Sequence, residues 1–235
     1  LIKISSIILL LTCINLRTAA QFDFEKQLNK PIYTADIIDP VYGILLYEPL
    51  NMFTRSDSSR MEGGYAINGW KEDHYSDGQL LHKGYYIEGQ LKVYKNYYPN
   101  GNLERNFKSI DGFRSKAILY FENGNLKSEV LYTNDFALEW TDYYINGQIE
   151  FYEKYHKNQC HHLDKISYYE NGQIESELIL ENKKKYLYSY NEYHSNGSNK
   201  LKGNIKYDMG IFDYVKYGTW SSFDEQGNIT NKENY

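Results

Sequence analysis

The densest group of side chains able to ligate a metal or act as nucleophiles is His156, Cys160, His161 and His162. Zinc takes nitrogen and sulfur donors in a tetrahedral shell, so this run could furnish two or three ligands. Neighbouring residues of an extended chain point to opposite sides, however, and His161 and His162 then chelate together poorly. A solvated turn is the simpler expectation, with His156, Cys160 and His162 kept as the one weak metal candidate. Carboxylates are the second resource, because a glycosidase needs only two at about 5–10 Å. Glu104, Glu150 and Glu175 nevertheless recur at one place in successive units of the chain. Residues multiplied by copying read as solvent-facing strand positions rather than as a unique catalytic pair. The sequence contains no nucleophile elbow, phosphate-binding glycine loop or zinc-binding helix motif. The expectation is a protein that is not an enzyme and carries no cofactor. The run Lys183-Lys184-Lys185 reads as a charged turn.

What positions these residues is a repeat. The chain reads YYPNGNLE at 97–104, YFENGNLK at 120–127, YYINGQIE at 143–150 and YYENGQIE at 168–175. Anchoring each unit on its turn glycine gives Gly78, Gly101, Gly124, Gly147, Gly172, Gly197 and Gly227. The steps between them are 23, 23, 23, 25, 25 and 30 residues. A second turn falls midway, strongest at Glu88-Gly89 and Asp111-Gly112 and weaker at Asn134-Asp135, Lys157-Asn158 and Asn182-Lys183. The fold class is therefore all-β, an elongated antiparallel β-hairpin repeat sheet with one turn per ~11–12 residues. About fourteen strands at roughly 4.8 Å would make a sheet on the order of 65 Å long.

An odd period requires a change of parity, because side chains alternate between faces at every residue. The stretch Pro99-Asn100-Gly101 supplies it as a type I turn closed by a left-handed glycine. Tyr97 and Leu103 then share a face, and even offsets extend that face to Phe107, Val130, Tyr132, Phe151, Tyr155, Leu178 and Leu180. The opposite face carries Tyr75, Tyr98, Phe121, Tyr144 and Tyr169, joined by Tyr94, Trp140 and Trp220. Both faces are aromatic, the first more consistently so. In the sixth unit Asn199 replaces the usual Leu or Ile, which predicts a distorted or longer hairpin there.

The stripe Tyr75, Tyr98, Phe121, Tyr144, Tyr169, Trp140 and Trp220 is the candidate binding surface, since Tyr and Trp are rigid amphipathic contact residues. The competing reading is that these rings shield the backbone of the sheet. The chain holds 26 Tyr, a net charge of −5 and a mean hydropathy of −0.68. An acidic balance argues against nucleic acid or an anionic membrane as the main partner. The partner expected is another protein, or else a glycan or envelope component.

The N-terminus resembles a secretory leader over 1–20: Lys3, an apolar run from Ile4 to Leu16, then Thr18-Ala19-Ala20 before Gln21. The run is too short to span a bilayer, which needs about 20 residues. The alternative is a lipidated Cys13. Export to the periplasm, the outer membrane or the medium follows, with no transmembrane span in the mature chain. Residues 21–62 are the expected N-terminal capping segment, with 40–50 as an edge strand or hairpin and 54–64 as a loop. The repeats follow over 63–235.

The unit of two aromatics, x-Asn-Gly-x-Leu/Ile, with a preceding Gly-x-Trp at Gly218-Thr219-Trp220, resembles the MORN repeat. It is similar to the variant in bacterial proteins termed YwqK-like antitoxins. The resemblance covers roughly 63–235 and implies a MORN-like meander acting as a scaffold or protein-binding module. It also implies the alternatives of an antitoxin or immunity protein neutralising a cognate toxin, or an envelope structural lipoprotein.

Overall fold

The computed structural model describes residues 47–51, 58–134 and 136–235. The candidate leader, Cys13 and most of the expected capping segment lie outside the described residues. Met61–Glu62 (β1) and Tyr65–Ala66 (β2) form a small hairpin where a loop was expected, reversed by Gly63 and Gly64 at positive φ. The first seven strands of the main sheet are Gly69–His74 (β3), Leu80–Ile87 (β4), Gln90–Tyr97 (β5), Leu103–Ser109 (β6), Arg114–Tyr120 (β7), Leu126–Thr133 (β8) and Phe136–Tyr143 (β9). The rest are Ile149–Tyr155 (β10), His162–Tyr168 (β11), Ile174–Asn182 (β12), Leu187–Tyr193 (β13), Asn199–Asp208 (β14), Asp213–Phe223 (β15) and Ile229–Asn234 (β16). β3 to β16 form one 14-stranded antiparallel sheet in chain order. The turns at Gly78, Gly101, Gly124, Gly147, Gly172, Gly197 and Gly227 therefore lie along one margin of the sheet and the alternate turns along the other. Among the described residues, no helix is long and apolar enough to cross a membrane.

The turn expected at Pro99-Asn100-Gly101 forms as read. Gly101 N–H donates to Tyr98 C=O at 2.9 Å, Tyr98 N–H donates to Asn102 C=O at 2.8 Å, and Gly101 has φ 83°. Glycine adopts that left-handed backbone at no steric cost. The sixth unit keeps the same closure, with Gly197 N–H on His194 C=O and His194 N–H on Ser198 C=O, both at 2.8 Å. The expected distortion at Asn199 is absent, since Asn199 pairs with Tyr193 as Leu103 pairs with Tyr97. The turn is held by backbone and glycine, so the side chain two residues later does not decide it.

A second irregularity was not foreseen. Tyr97 pairs with Leu103, but Asn96 pairs with Arg105, leaving Glu104 as an extra residue. The same shift leaves Leu81, Lys127, Glu150, Glu175, Lys200 and Thr230 extra in the other units. Asn96 and Tyr97 point to opposite faces, so Leu103 lies opposite Arg105 and Phe107. This corrects the expected faces. Tyr97 and Leu103 do share a side, but Phe107 and Val130 lie on the other one, with Tyr94 and Trp140. The cross-strand partners Tyr94 and Phe107, and Val130 and Trp140, establish that side.

The core sits on this second face. Tyr94 and Phe107 stack at 5.1 Å and join Tyr86, Leu91, Ala117 and Val130, with Trp140 packed against them. Tyr47 and Leu50 cover its first strands, within a turn of 3-10 helix at Glu48–Leu50, where a strand or hairpin was expected. Tyr47 stacks on His82 at 3.6 Å and donates to Asp73 at 2.8 Å, while Arg60 grips both Asp73 oxygens at 2.7 and 2.9 Å. A carboxylate this deep stays charged only beside such a partner. A second cluster follows later in the sheet, built on Leu178, Tyr188 and Tyr207.

The long step before the last unit is absorbed by β14 and β15. Lys202 pairs with Ser221 but Asn204 pairs with Tyr217, so Gly218 to Trp220 face Gly203 alone. The Trp220 ring lies over Gly203, where a Cβ would fall 2.2 Å from it. Gly203→Ala is expected to expel the indole and destabilise the chain by about 1–3 kcal/mol. A lowered urea midpoint with red-shifted tryptophan emission would show it; an unchanged midpoint would refute the close approach.

Candidate functional site

Tyr75, Tyr98, Phe121, Tyr144 and Tyr169 each stand three residues before a turn glycine, on the core face and beside the Asn/Asp-Gly margin. All five are half-buried. Their hydroxyls are committed. Tyr75 Oη donates to Tyr97 C=O at 2.7 Å, and Tyr98 Oη to Tyr120 C=O at 2.9 Å. Tyr144 Oη donates to Tyr168 C=O at 2.7 Å, and Tyr169 Oη to Tyr193 C=O at 2.8 Å. Each tyrosine thus bonds the backbone of the next hairpin, at the residue beside the extra one. His194 Nε2 continues the series to Phe223 C=O at 3.1 Å. Phe121 lacks the hydroxyl, and the Lys127 ammonium instead lies 5.7 Å from its ring centre.

The turn asparagines add a parallel ladder that the sequence reading missed. Asn100 Oδ1 accepts Asn102 N–H at 2.9 Å while its amide donates to Glu122 C=O of the next turn at 3.0 Å. Asn146, Asn171 and Asn196 reach Glu170, Ser195 and Glu225 in the same way. Aspartate could make the first bond but not the second, because a carboxylate only accepts. The recurrence of Asn before the glycine was the available signal.

Carboxylates flank the stripe. Tyr75 is pushed up to about 12 by burial and by the charges of Glu104 and Asp77. Burial, Glu104 and Glu122 raise Tyr98; burial, Glu150, Glu175 and Glu170 raise Tyr144. Glu104 is one of the extra residues, and burial raises its own carboxyl to about 7 against an opposing pull from Lys127. Glu104, Glu150 and Glu175 are the recurring carboxylates of the sequence, and they act on the aromatic ledge together with Asp77, Glu122 and Glu170.

The two tryptophans are on the core face as well, but pack in the body of the sheet. Trp220 is 3 % exposed and donates to Asn204 C=O at 3.2 Å, so it belongs to the packing of β14 and β15. Trp140 is half-buried against the first core cluster and donates to Asp142 at 2.7 Å. The histidine run is also redistributed. Among the described residues no three of His, Cys, Asp and Glu converge to hold a metal. His162 turns to Glu153 at 3.3 Å and Tyr214 at 2.8 Å, whereas His161 stacks on His156 at 4.9 Å. Cys160 Sγ donates to Asn158 C=O. Strand alternation separates His161 from His162, as read, but both are buried rather than solvated.

Compared with known families, the chain matches the MORN repeat variant at residues 90–106, 116–134 and 162–182. Each match falls on one hairpin, β5–β6, β7–β8 or β11–β12, and contains its Asn-Gly turn and extra residue. Such repeats are generally modules that bind proteins or membranes, and generally without catalysis. No curated protein matches the chain.

Two consequences are measurable. Tyr98→Phe removes one hydroxyl-to-carbonyl bond and should lower stability by about 1 kcal/mol in urea denaturation, since Phe121 shows that the ring alone fits. No loss would mean the bond is not stabilising. Glu104 binds its proton up to about 7 when folded, against 4.5 ordinarily. The folded chain therefore holds more proton between those values, and this group's contribution falls as pH rises through that window. Glu104→Gln should raise the urea midpoint at about pH 8 and leave it unchanged at about pH 4. The same effect at both would refute the shift.

Proposed function

We propose that this protein is a non-catalytic binding module whose tyrosine ledge holds an extended, basic segment of another protein. The supporting observation is the stripe itself: Tyr75, Tyr98, Phe121, Tyr144 and Tyr169, fixed one per hairpin, half-exposed and bordered by carboxylates. Rings locked by their hydroxyl bonds lose little further freedom on binding, which favours affinity. One hairpin spans two strand spacings, about 9.6 Å, which is close to the advance of three residues in an extended peptide at about 3.3 Å each. A cationic side chain at every third position would meet a ring face and a neighbouring carboxylate together. Trp140 and Trp220 serve the reading only indirectly, by stiffening the sheet. The leader-like first 20 residues extend the proposal to an exported protein acting at the envelope or outside the cell.

The test is fluorescence polarisation with labelled Lys-Gly-Gly and Glu-Gly-Gly repeat peptides of equal length. The lysine peptide should bind, weaken with added salt, and lose at least about tenfold affinity to a Tyr144→Ala/Tyr169→Ala variant. Equal binding of both peptides, or full binding by a variant shown to be folded, would overturn the proposal. Mass spectrometry of the secreted chain tests the export reading, with Gln21 as the expected first residue.

A further inference from the structure

The other margin of the sheet carries a concavity of a different character. A cleft of about 450 Å³ opens between the β12–β13 and β14–β15 turns, with Lys184, Lys185 and Lys206 at its rim. Tyr186, Leu187, Tyr207 and Met209 supply apolar walls. We infer that this cleft binds a small organic anion, a phosphate or carboxylate carried on a flat apolar body.

Three observations carry the inference. First, three ammonium groups gather around one concavity, whereas five strand lysines each meet a carboxylate: Lys71 with Glu62, Lys83 with Glu72, Lys116 with Glu129, Lys154 with Glu139 and Lys200 with Glu192. Lys184, Lys185 and Lys206 form no ion pair with any described residue. The one acid at the cleft, Asp208, already accepts Gly210 N–H at 2.8 Å in its own turn. Three unpaired ammonium groups around one concavity, in a chain of net charge −5, are a local reversal of sign.

Second, Tyr186 holds a left-handed backbone, φ 54°. A bulky side chain there is strained, and the position ordinarily goes to glycine or asparagine. Asn182 Oδ1 already organises the turn by accepting Lys184 and Lys185 N–H, both at 3.1 Å. The turn does not require a tyrosine; the ring packs against the second core cluster and forms the cleft wall there. Third, a polar atom stands behind that wall without a partner. His161 packs edge-on against Tyr186 at 4.9 Å and lies 5.8 Å from Tyr207. Its Nδ1 is buried and meets no hydrogen-bond partner among the described residues. Such an atom calls for a partner, and it lies directly behind the residues that line the cleft.

The volume falls within the range of small-molecule pockets, which combine apolar walls with a few placed polar groups. A concave site suits such a ligand better than a bilayer, and an acidic chain is repelled by an anionic one. Because the cleft and the tyrosine ledge lie at opposite ends of the hairpins, the two proposals fail independently.

Isothermal titration calorimetry of the full chain with phenyl phosphate, phenol and inorganic phosphate tests it. Phenyl phosphate should bind saturably with a dissociation constant on the order of 1 mM, as for a fragment. Phenol and inorganic phosphate should each bind at least about tenfold more weakly, since neither has both the body and the charge. Lys184→Gln/Lys185→Gln, at two exposed side chains, should leave the circular dichroism unchanged and weaken phenyl phosphate about tenfold. Lys232→Gln on β16 should leave binding unaltered. Phenol binding as tightly as phenyl phosphate, no saturation, or an undiminished double variant would overturn the inference. So would a response confined to phosphatidylglycerol vesicles, which would place these lysines at a membrane.

Discussion

A strand turns successive side chains to opposite faces, so a repeat of odd length would exchange its faces at each copy unless the backbone slips. Here the glycine turn keeps residues such as Tyr97 and Leu103 on one side, and the extra residue three positions after the glycine supplies the slip, at each hairpin from Gly78 to Gly227. Their combination collects Tyr94, Phe107, Val130 and Trp140 on one side. It also leaves each residue such as Tyr97 with a carbonyl turned towards the previous hairpin's tyrosine. The core, the tyrosine ladder and the row of flanking acids all follow from that one backbone arrangement.

The ladder also explains how a chain of mean hydropathy −0.68 sustains fourteen strands. Neutral hydrogen bonds contribute about 0.5–1.5 kcal/mol each, and cross-strand pairs a little less. Neither is large, but both recur with the hairpin, so stability accumulates by nearest-neighbour terms as in other repeat proteins. Tyrosine suits this scheme because one side chain gives an apolar ring to the core face and a donor to the adjacent unit. The same use limits its availability for a partner: the hydroxyls are spent, and only ring surface and the neighbouring carboxylates remain to be shared.

Each margin has a local cluster of charge. The glycine-turn margin gathers Asp77, Glu104, Glu122, Glu150, Glu170 and Glu175 beside the aromatic ledge. The opposite margin, at the β12–β13 and β14–β15 turns, gathers unpaired lysines around a cleft. Antiparallel connection produces this separation, because every second turn must fall on the same side.

Much of the architecture was legible in residue order. The spacing of Gly78 to Gly227 located the hairpins, and Pro99-Asn100-Gly101 identified the turn, because left-handed backbone has few residue choices. Tyr75, Tyr98, Phe121, Tyr144 and Tyr169 were likewise correctly gathered on one face. The burial of Trp220 was not legible, since it depends on three residues opposing Gly203. Nor was the side on which Phe107 lies, because an extra residue such as Glu104 carries no compositional mark. The separation of His161 from His162 followed from alternation, but their burial came from Tyr186, Tyr207 and Tyr214, distant in the chain. Local backbone preference is written in single residues and short spacings, and so the sequence alone determined turns, period and strand count. Facing, burial and the grouping of charges depend on pairing between strands, and only the assembled sheet decided those.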